Sequence, residues 1–114
     1  MGKTAFSCRS FQKKGHTVVE IAGDVTFEVI EELRRKFAQL RVDRPSQVVF
    51  DCTGVTLMSS VALGEFSRLI KWGRENQCRL KVACQNDHVV DVLEIAGVTD
   101  GIPLFPSLDM ALTR

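Results

Sequence analysis

Apolar residues recur along the chain at two spacings, and the spacing changes from segment to segment. From Ala5 to Phe11, and again from His16 to Ala22, apolar and polar residues alternate, with Gln12-Lys13-Lys14-Gly15 between them. Alternation on both sides of a short polar cluster ending in glycine predicts a β-hairpin. Gly23-Asp24 closes this unit. Thr26 opens a stretch in which Phe27, Ile30, Leu33, Phe37 and Leu40 fall three or four apart, the period of one helical face. Glu28, Glu31 and Glu32 come early in it, and Arg34, Arg35, Lys36 and Arg41 come late. That order complements the helix dipole, so the charge run reads as a solvated helix face. Asp43-Arg44-Pro45-Ser46 breaks the helix.

Gln47 to Asp51 contains the continuous apolar run Val48-Val49-Phe50, which suits a buried parallel strand. Cys52-Thr53-Gly54 reads as a turn, and Val55 to Met58 leads to Ser59-Ser60. A second helix follows, with Ala62, Leu63, Phe66, Leu69, Ile70 and Gly73 on one side and Asn76-Gln77 at its end. Arg79 to Cys84 is a further central strand, with Leu80, Val82 and Cys84 on one face. Asp87 is placed to cap a short helix from His88 to Ala96, which Gly97 terminates. Ile102 to Phe105 predicts an edge strand that tolerates Pro103. Pro106-Ser107 starts a last helix in which Leu108, Ala111 and Leu112 pack back. The order β-β-α-β-α-β-α-β-α predicts one α/β domain over residues 1–114, with a mixed, mostly parallel sheet covered by helices. There is no internal repeat, linker or low-complexity stretch.

Composition narrows the function classes. A net charge of +1 gives no global field toward nucleic acid or an anionic membrane. The apolar runs are too short to span a bilayer. Met1-Gly2-Lys3-Thr4 is followed by no apolar stretch of a signal peptide, and Phe6 stands where a myristoylation signal needs Ser or Thr. Cys8, Cys52, Cys78 and Cys84 form no C-x-x-C pair, and His16 and His88 are the two histidines. Clustered ligands for a metal are missing. The cysteines read as reduced, packed thiols, which fits a cytoplasmic protein. No metal and no cofactor is expected.

The sequence also lacks the parts of an enzyme. Gly2-Lys3-Thr4 has no preceding glycine-rich loop to cradle a phosphate. Asp91 and Glu94 share one face of a short helix and read as solvated surface. Asp87-His88 reads as a pair at a helix start. Nothing assembles a nucleophile, a base and a charge stabiliser. The informative stretch runs from Asp51 to Gly64: a buried strand, a loop with Thr53 and Thr56, and Ser59-Ser60 opening an amphipathic helix. Either hydroxyl can cap the helix. A phosphate there would meet the positive end of a helix dipole. The fold would tolerate it, whereas a partner with an acidic or apolar face docked over that end would not.

These residues resemble the STAS domains of the anti-sigma-factor antagonists. Val48-Val49-Phe50-Asp51, then Val55-Thr56-Leu57-Met58, Ser60 and Leu63-Gly64, resemble that family's strand ending in Asp, its loop and its Asp-Ser-Ser-Gly-Leu-Gly helix start. Gly23-Asp24-Val25 resembles its Gly-acid-apolar turn before the first helix. Val92 to Gly97 resembles its Leu-x-x-x-Gly segment, and Leu104 to Leu108 with Ala111-Leu112 resembles its ending. The match spans nearly the whole chain. Freestanding members bind an anti-sigma factor that is also a serine kinase, which phosphorylates the second serine of the pair and dissociates the complex. Other members serve in stress-signalling assemblies, or as small subunits on an ABC-transporter ATPase.

Aligned without gaps, Ser59 takes the place of the family's Asp, Ser60 its first Ser, Val61 its phosphorylated Ser, and Ala62 its Gly. Valine cannot accept phosphate. The resemblance therefore implies either a displaced phosphorylation site at Ser60 or Ser59, or a partner bound without this switch. The implied partner surface comprises Asp24, Thr56, Met58, Ser59, Ser60, Val61, Ala62 and Leu63. The implied partner is a protein, either an anti-sigma factor/serine kinase or an ABC ATPase. Nucleic acid and direct membrane insertion are not implied, and the chain is expected as a monomer or weak dimer. Trp72 is read either as an interface anchor or as packing at a helix end. A small-ligand binder would require a polar-lined pocket.

Overall fold

A computed structural model describes residues 5–114; the readings made on Met1-Gly2-Lys3-Thr4 lie outside the described residues. The observed strands are β1 (Ser7–Lys13), β2 (His16–Val25), β3 (Gln47–Met58), β4 (Arg79–Ala83) and β5 (Leu104–Phe105). The helices are α1 (Ile30–Asp43), α2 (Ser60–Glu75), α3 (Asp87–Ile95) and α4 (Leu108–Thr113). This is the expected order, and the strands form one five-stranded sheet in the sequence β1-β2-β3-β4-β5. β1 pairs antiparallel with β2, and every later pair is parallel. The hairpin turn is Lys14-Gly15, both with positive φ (50° and 75°), the backbone a tight two-residue hairpin demands.

The main core lies between one face of the sheet and α1 and α2, with Val89 and Leu93 of α3 joining it. At its centre Phe37 of α1, Phe50 of β3 and Phe66 of α2 meet edge-to-face, with ring centroids 5.1–5.7 Å apart. Each such pair contributes about 0.5–1.5 kcal/mol beyond its buried area. On the opposite face Val18, Val49 and Ala83 pack under Ala111 and Leu112 of α4. Val48-Val49-Phe50 thus serves both faces at once, which is why that run is continuous instead of alternating. Gly73 lets α2 approach β4; a Cβ there would stand 2.8 Å from Leu80 Cδ1. Trp72 is half-buried against the core, the helix-end packing reading. All four cysteines are free and buried. Burial pushes their thiols up, that of Cys8 to about 11, so none is predisposed to act as a thiolate.

Four local expectations are corrected. Cys52-Thr53-Gly54 is not a turn: β3 runs through it to Met58. Asp51 Oδ1 accepts from the Thr53 backbone N–H (3.1 Å) and from Thr53 Oγ1 (2.6 Å). That turn-forming chemistry is spent on a bulge, seen as a register shift between Glu20/Ala22 and their partners Asp51 and Gly54. Phe27 is not on the buried face of α1. It belongs to a 3-10 turn, Phe27–Val29, that precedes the helix out of phase, and it is 69% exposed. The cap of α3 is Asn86, whose Oδ1 accepts from His88 N and Val89 N (3.0 and 3.3 Å); Asp87 is the first helical residue. β5 is limited to Leu104–Phe105: Ile102 turns into the core, although the Pro103 carbonyl still accepts from Val82 N.

Candidate protein-docking surface

The predicted site residues come from three elements that meet at the C-terminal end of the parallel strands. Asp24 and Val25 end β2, Leu57 and Met58 end β3, and these are paired Asp24↔Leu57 and Val25↔Met58. The chain passes directly from Met58 into the start of α2, where Ser59 N donates to Val25 O at 2.9 Å. Thr56 Oγ1 donates to Asp24 Oδ1 at 2.5 Å, tying the two strand ends together.

The two serines have different roles. Ser59 is the N-cap of α2; its Oγ accepts from Ala62 N at 3.4 Å. Ser60 is the first helical residue and is exposed. Val61 beside it is 41% exposed, and Leu57 at the strand end is 42% exposed. Met58 and Ala62 are buried in the core, so of the predicted surface these two can only shape it from beneath. Leu63 is half-buried against the core. Leu57 was not among the residues expected at the surface. A strict alternation puts it on the same side as Val55, which is buried. A second register shift between Gly23/Asp24 and Val55/Leu57 inserts an extra residue in β3 and turns Leu57 outward.

No acidic residue lies in the first turn of α2, so its positive end is not neutralised from within the helix. The next turn carries Glu65, which is buried. Its Oε2 accepts from Arg34 Nε of α1 at 2.9 Å and also from the Arg68 guanidinium; Arg34 Nη1 reaches Glu31 at 2.8 Å. Burial alone would raise the Glu65 carboxyl, but the hydrogen bonds from Arg68 and Arg34 outweigh it and hold the group below the usual carboxylate value. Glu65 was not singled out from the sequence; an acid at i+3 from Ala62 and i−1 from Phe66 was the available signal.

The end of β3 and the start of α2 thus expose two apolar side chains, Leu57 and Val61, and the Ser60 hydroxyl. Asp91, Glu94 and His88 are exposed on α3, and His16 is buried beside the hairpin turn. The described residues contain no helix long and apolar enough to cross a membrane.

The STAS domain family matches residues 10–111. The chain belongs to the STAS domain family. Among solved structures, the chain is similar to an anti-sigma factor antagonist from Mycobacterium paratuberculosis, at 21% identity and a TM-score of 0.81, over 96% of this chain and 92% of that one. It is also similar to the anti-sigma factor antagonist SpoIIAA in its unphosphorylated form, at 14% identity and a TM-score of 0.77, over 96% and 95%. The phosphorylated form of the Bacillus cell fate determinant SpoIIAA superimposes with a TM-score of 0.72, at 14% identity, over 96% and 98%. At these identities the likeness establishes the shared fold. No curated protein matches the sequence.

Proposed function

We propose that this STAS domain is a non-enzymatic regulatory module that works in the cytoplasm by docking an anti-sigma factor with serine-kinase activity. The docking surface is the end of β3 with the start of α2. The observation that carries the reading is the exposure of Leu57 and Val61, both over 40%, on either side of exposed Ser60 where β3 passes into α2. Large apolar side chains placed together at a rigid end of a sheet are what a protein partner covers. Asp24 and Thr56 hold the strand ends, Ser59 caps the helix, and Met58 and Ala62 fill the space below. Ser60, whose hydroxyl is not the cap, is the residue to modify. A phosphate there adds about −1.5 to −2 charges next to the apolar patch a partner must desolvate.

One observation favours a second reading. Val61, at the aligned position of the family's phosphorylated serine, is exposed and has no hydroxyl. A fixed subunit of an ABC-transporter or stress-signalling assembly needs no such switch. Affinity capture of the tagged chain from its own cells, followed by titration of the purified partner, separates the two. A kinase-like anti-sigma factor bound by the parent and lost with Leu57→Asp or Val61→Asp supports the first reading. An ABC ATPase in its place establishes the second. A partner whose affinity is unchanged by both substitutions overturns the surface assignment.

A further inference from the structure

The opposite end of the sheet carries a second surface. β1 is the edge strand, and among the described residues no strand pairs with its outer side. Its ladder with β2 runs without a register shift from Ser7↔Ala22 to Lys13↔His16, and it contains no proline. The two-residue turn makes Lys13↔His16 a hydrogen-bonded pair. By the antiparallel alternation, Cys8, Ser10 and Gln12 are then the residues whose N–H and C=O point outward. The same three turn their side chains toward α1: Cys8 is in the main core, and Ser10 and Gln12 line an open cleft of about 820 Å³ between the hairpin and the C-terminal half of α1.

The cleft has a definite electrostatic sign. Arg35 and Lys36 of α1 line it. Among the described residues that line it, the carboxylate is Asp43, whose Oδ1 accepts from Gln39 Nε2 at 2.8 Å; Glu32 of α1 lies outside the lining, near Cys8. Arg9 is engaged with Glu20. A second copy of β1 carries no carboxylate to offer Arg35 and Lys36 in either orientation, so the charge of the cleft gives self-pairing no support. A strand with carboxylates at alternate positions meets no such opposition. Residues opposite each other in a ladder share a face, so acids opposite Ser10 and Gln12 would turn toward Arg35 and Lys36.

We infer that the free edge of β1 and the cationic cleft beneath it receive an extended acidic peptide segment of a partner protein as a sixth strand. Backbone hydrogen bonds to Cys8, Ser10 and Gln12 supply the pairing, and Arg35 and Lys36 select the acidic side chains. Thr17, at the cleft, and Val25, at the docking surface, are separated by roughly 26 Å of strand at the usual rise. The inference therefore does not rest on the function proposed above, and both surfaces can be occupied together.

The test uses a capped heptapeptide alternating Thr and Glu, titrated into the labelled protein by NMR. Three controls accompany it: the same peptide N-methylated at alternate residues, its Lys counterpart, and inorganic phosphate. The expected result is salt-sensitive shifts confined to β1 and α1 with the acidic peptide, abolished by N-methylation. Replacing both cations (Arg35→Glu with Lys36→Glu) should weaken binding by roughly tenfold or more, the scale of losing two charge-assisted contacts, and should favour the Lys peptide. Ser10→Pro removes an outward donor without touching the β2 ladder and should also block binding. Equal binding of the N-methylated peptide, or competition by phosphate alone, would make the cleft a small-anion site and overturn strand addition. So would the absence of shifts with the acidic peptide.

Discussion

Lys81 Nζ donates to the carbonyl of Ala111 at 2.9 Å and lies 3.4 Å from His16 Nε2. One lysine on β4 thus joins the start of β2 to the last helix. An ammonium group cannot accept a hydrogen bond, so Nε2 must be the acceptor and Nδ1 carries the proton. Nδ1 indeed faces the Lys14 carbonyl at 2.9 Å. Lys81→Met should cost about 1.5–3 kcal/mol, the range for hydrogen bonds to charged groups, measured by urea unfolding. The amides of α4 should exchange faster in the variant, and the imidazole nitrogen shifts of His16 should change. Unaltered α4 protection would show that the lysine does not hold the helix.

Ser59 and Ser60 should separate cleanly in stability measurements. Ser59→Ala removes the cap of α2 and should lower stability by about 0.5–2 kcal/mol. Ser60→Asp places a negative charge at the positive end of the helix and should raise stability by about 0.3–1 kcal/mol, while weakening partner binding. Thermal unfolding reads the first effect and partner titration the second. Equal stability losses for Ser59→Ala and Ser60→Ala would contradict the assigned roles.

Val61→Ser tests whether a hydroxyl at that position is what the chain lacks. The side chain is exposed, so the substitution should change stability by no more than about 0.5 kcal/mol. With a partner anti-sigma kinase and ATP, the variant should gain a phosphate that mass spectrometry places at residue 61. A parent chain labelled at Ser60 to the same extent would show that the displaced serine already serves.

Glu65 couples α1 to α2, and its contribution should depend on pH. Its folded carboxyl is held below the ordinary glutamate value of about 4.5, so it favours the native state fully above that pH. That contribution falls away as the pH drops through the lower, folded value. Glu65→Gln should cost about 1–3 kcal/mol near pH 7. The gap between parent and variant should narrow as the pH is lowered below about 4.5. A gap that stays constant down to strong acid would mean that packing, not charge, holds this contact.

The order of elements was legible because each helix and strand has a distinct apolar period, and the start of α2 was legible because Ser59 precedes a clean helical stripe. What escaped was local competition. Asp51, Thr53 and Gly54 have turn chemistry, yet the long ladder with β2 absorbs them as a bulge. A second register shift, between Gly23 and Asp24, reverses the facing of Leu57, which strict alternation would place beside buried Val55. Asn86 and Asp87 are both good caps, and the sequence does not rank them. Glu65 was not singled out because Arg34 reaches it, beside its own-helix neighbour Arg68, only when α1 lies beside α2. The cleft under β1 depends on how far α1 sits from the hairpin, a distance with no signature in one sequence.

The order of the strands across the sheet is also their order along the chain. Each strand emerging during synthesis therefore finds its pairing edge already present, and none must wait for a later segment to be inserted between two earlier ones. The hairpin closes over two residues and forms the template, and each later strand extends one growing side. The two-residue β5 and the short α4 come last and complete the far edge. By the time residue 75 has left the ribosome, β1, β2, β3, α1 and α2 can already assemble both the end carrying Ser59 and Ser60 and the cleft beneath β1. Both proposed surfaces are thus written into the first two thirds of the chain, and the remainder serves to seal the sheet behind them.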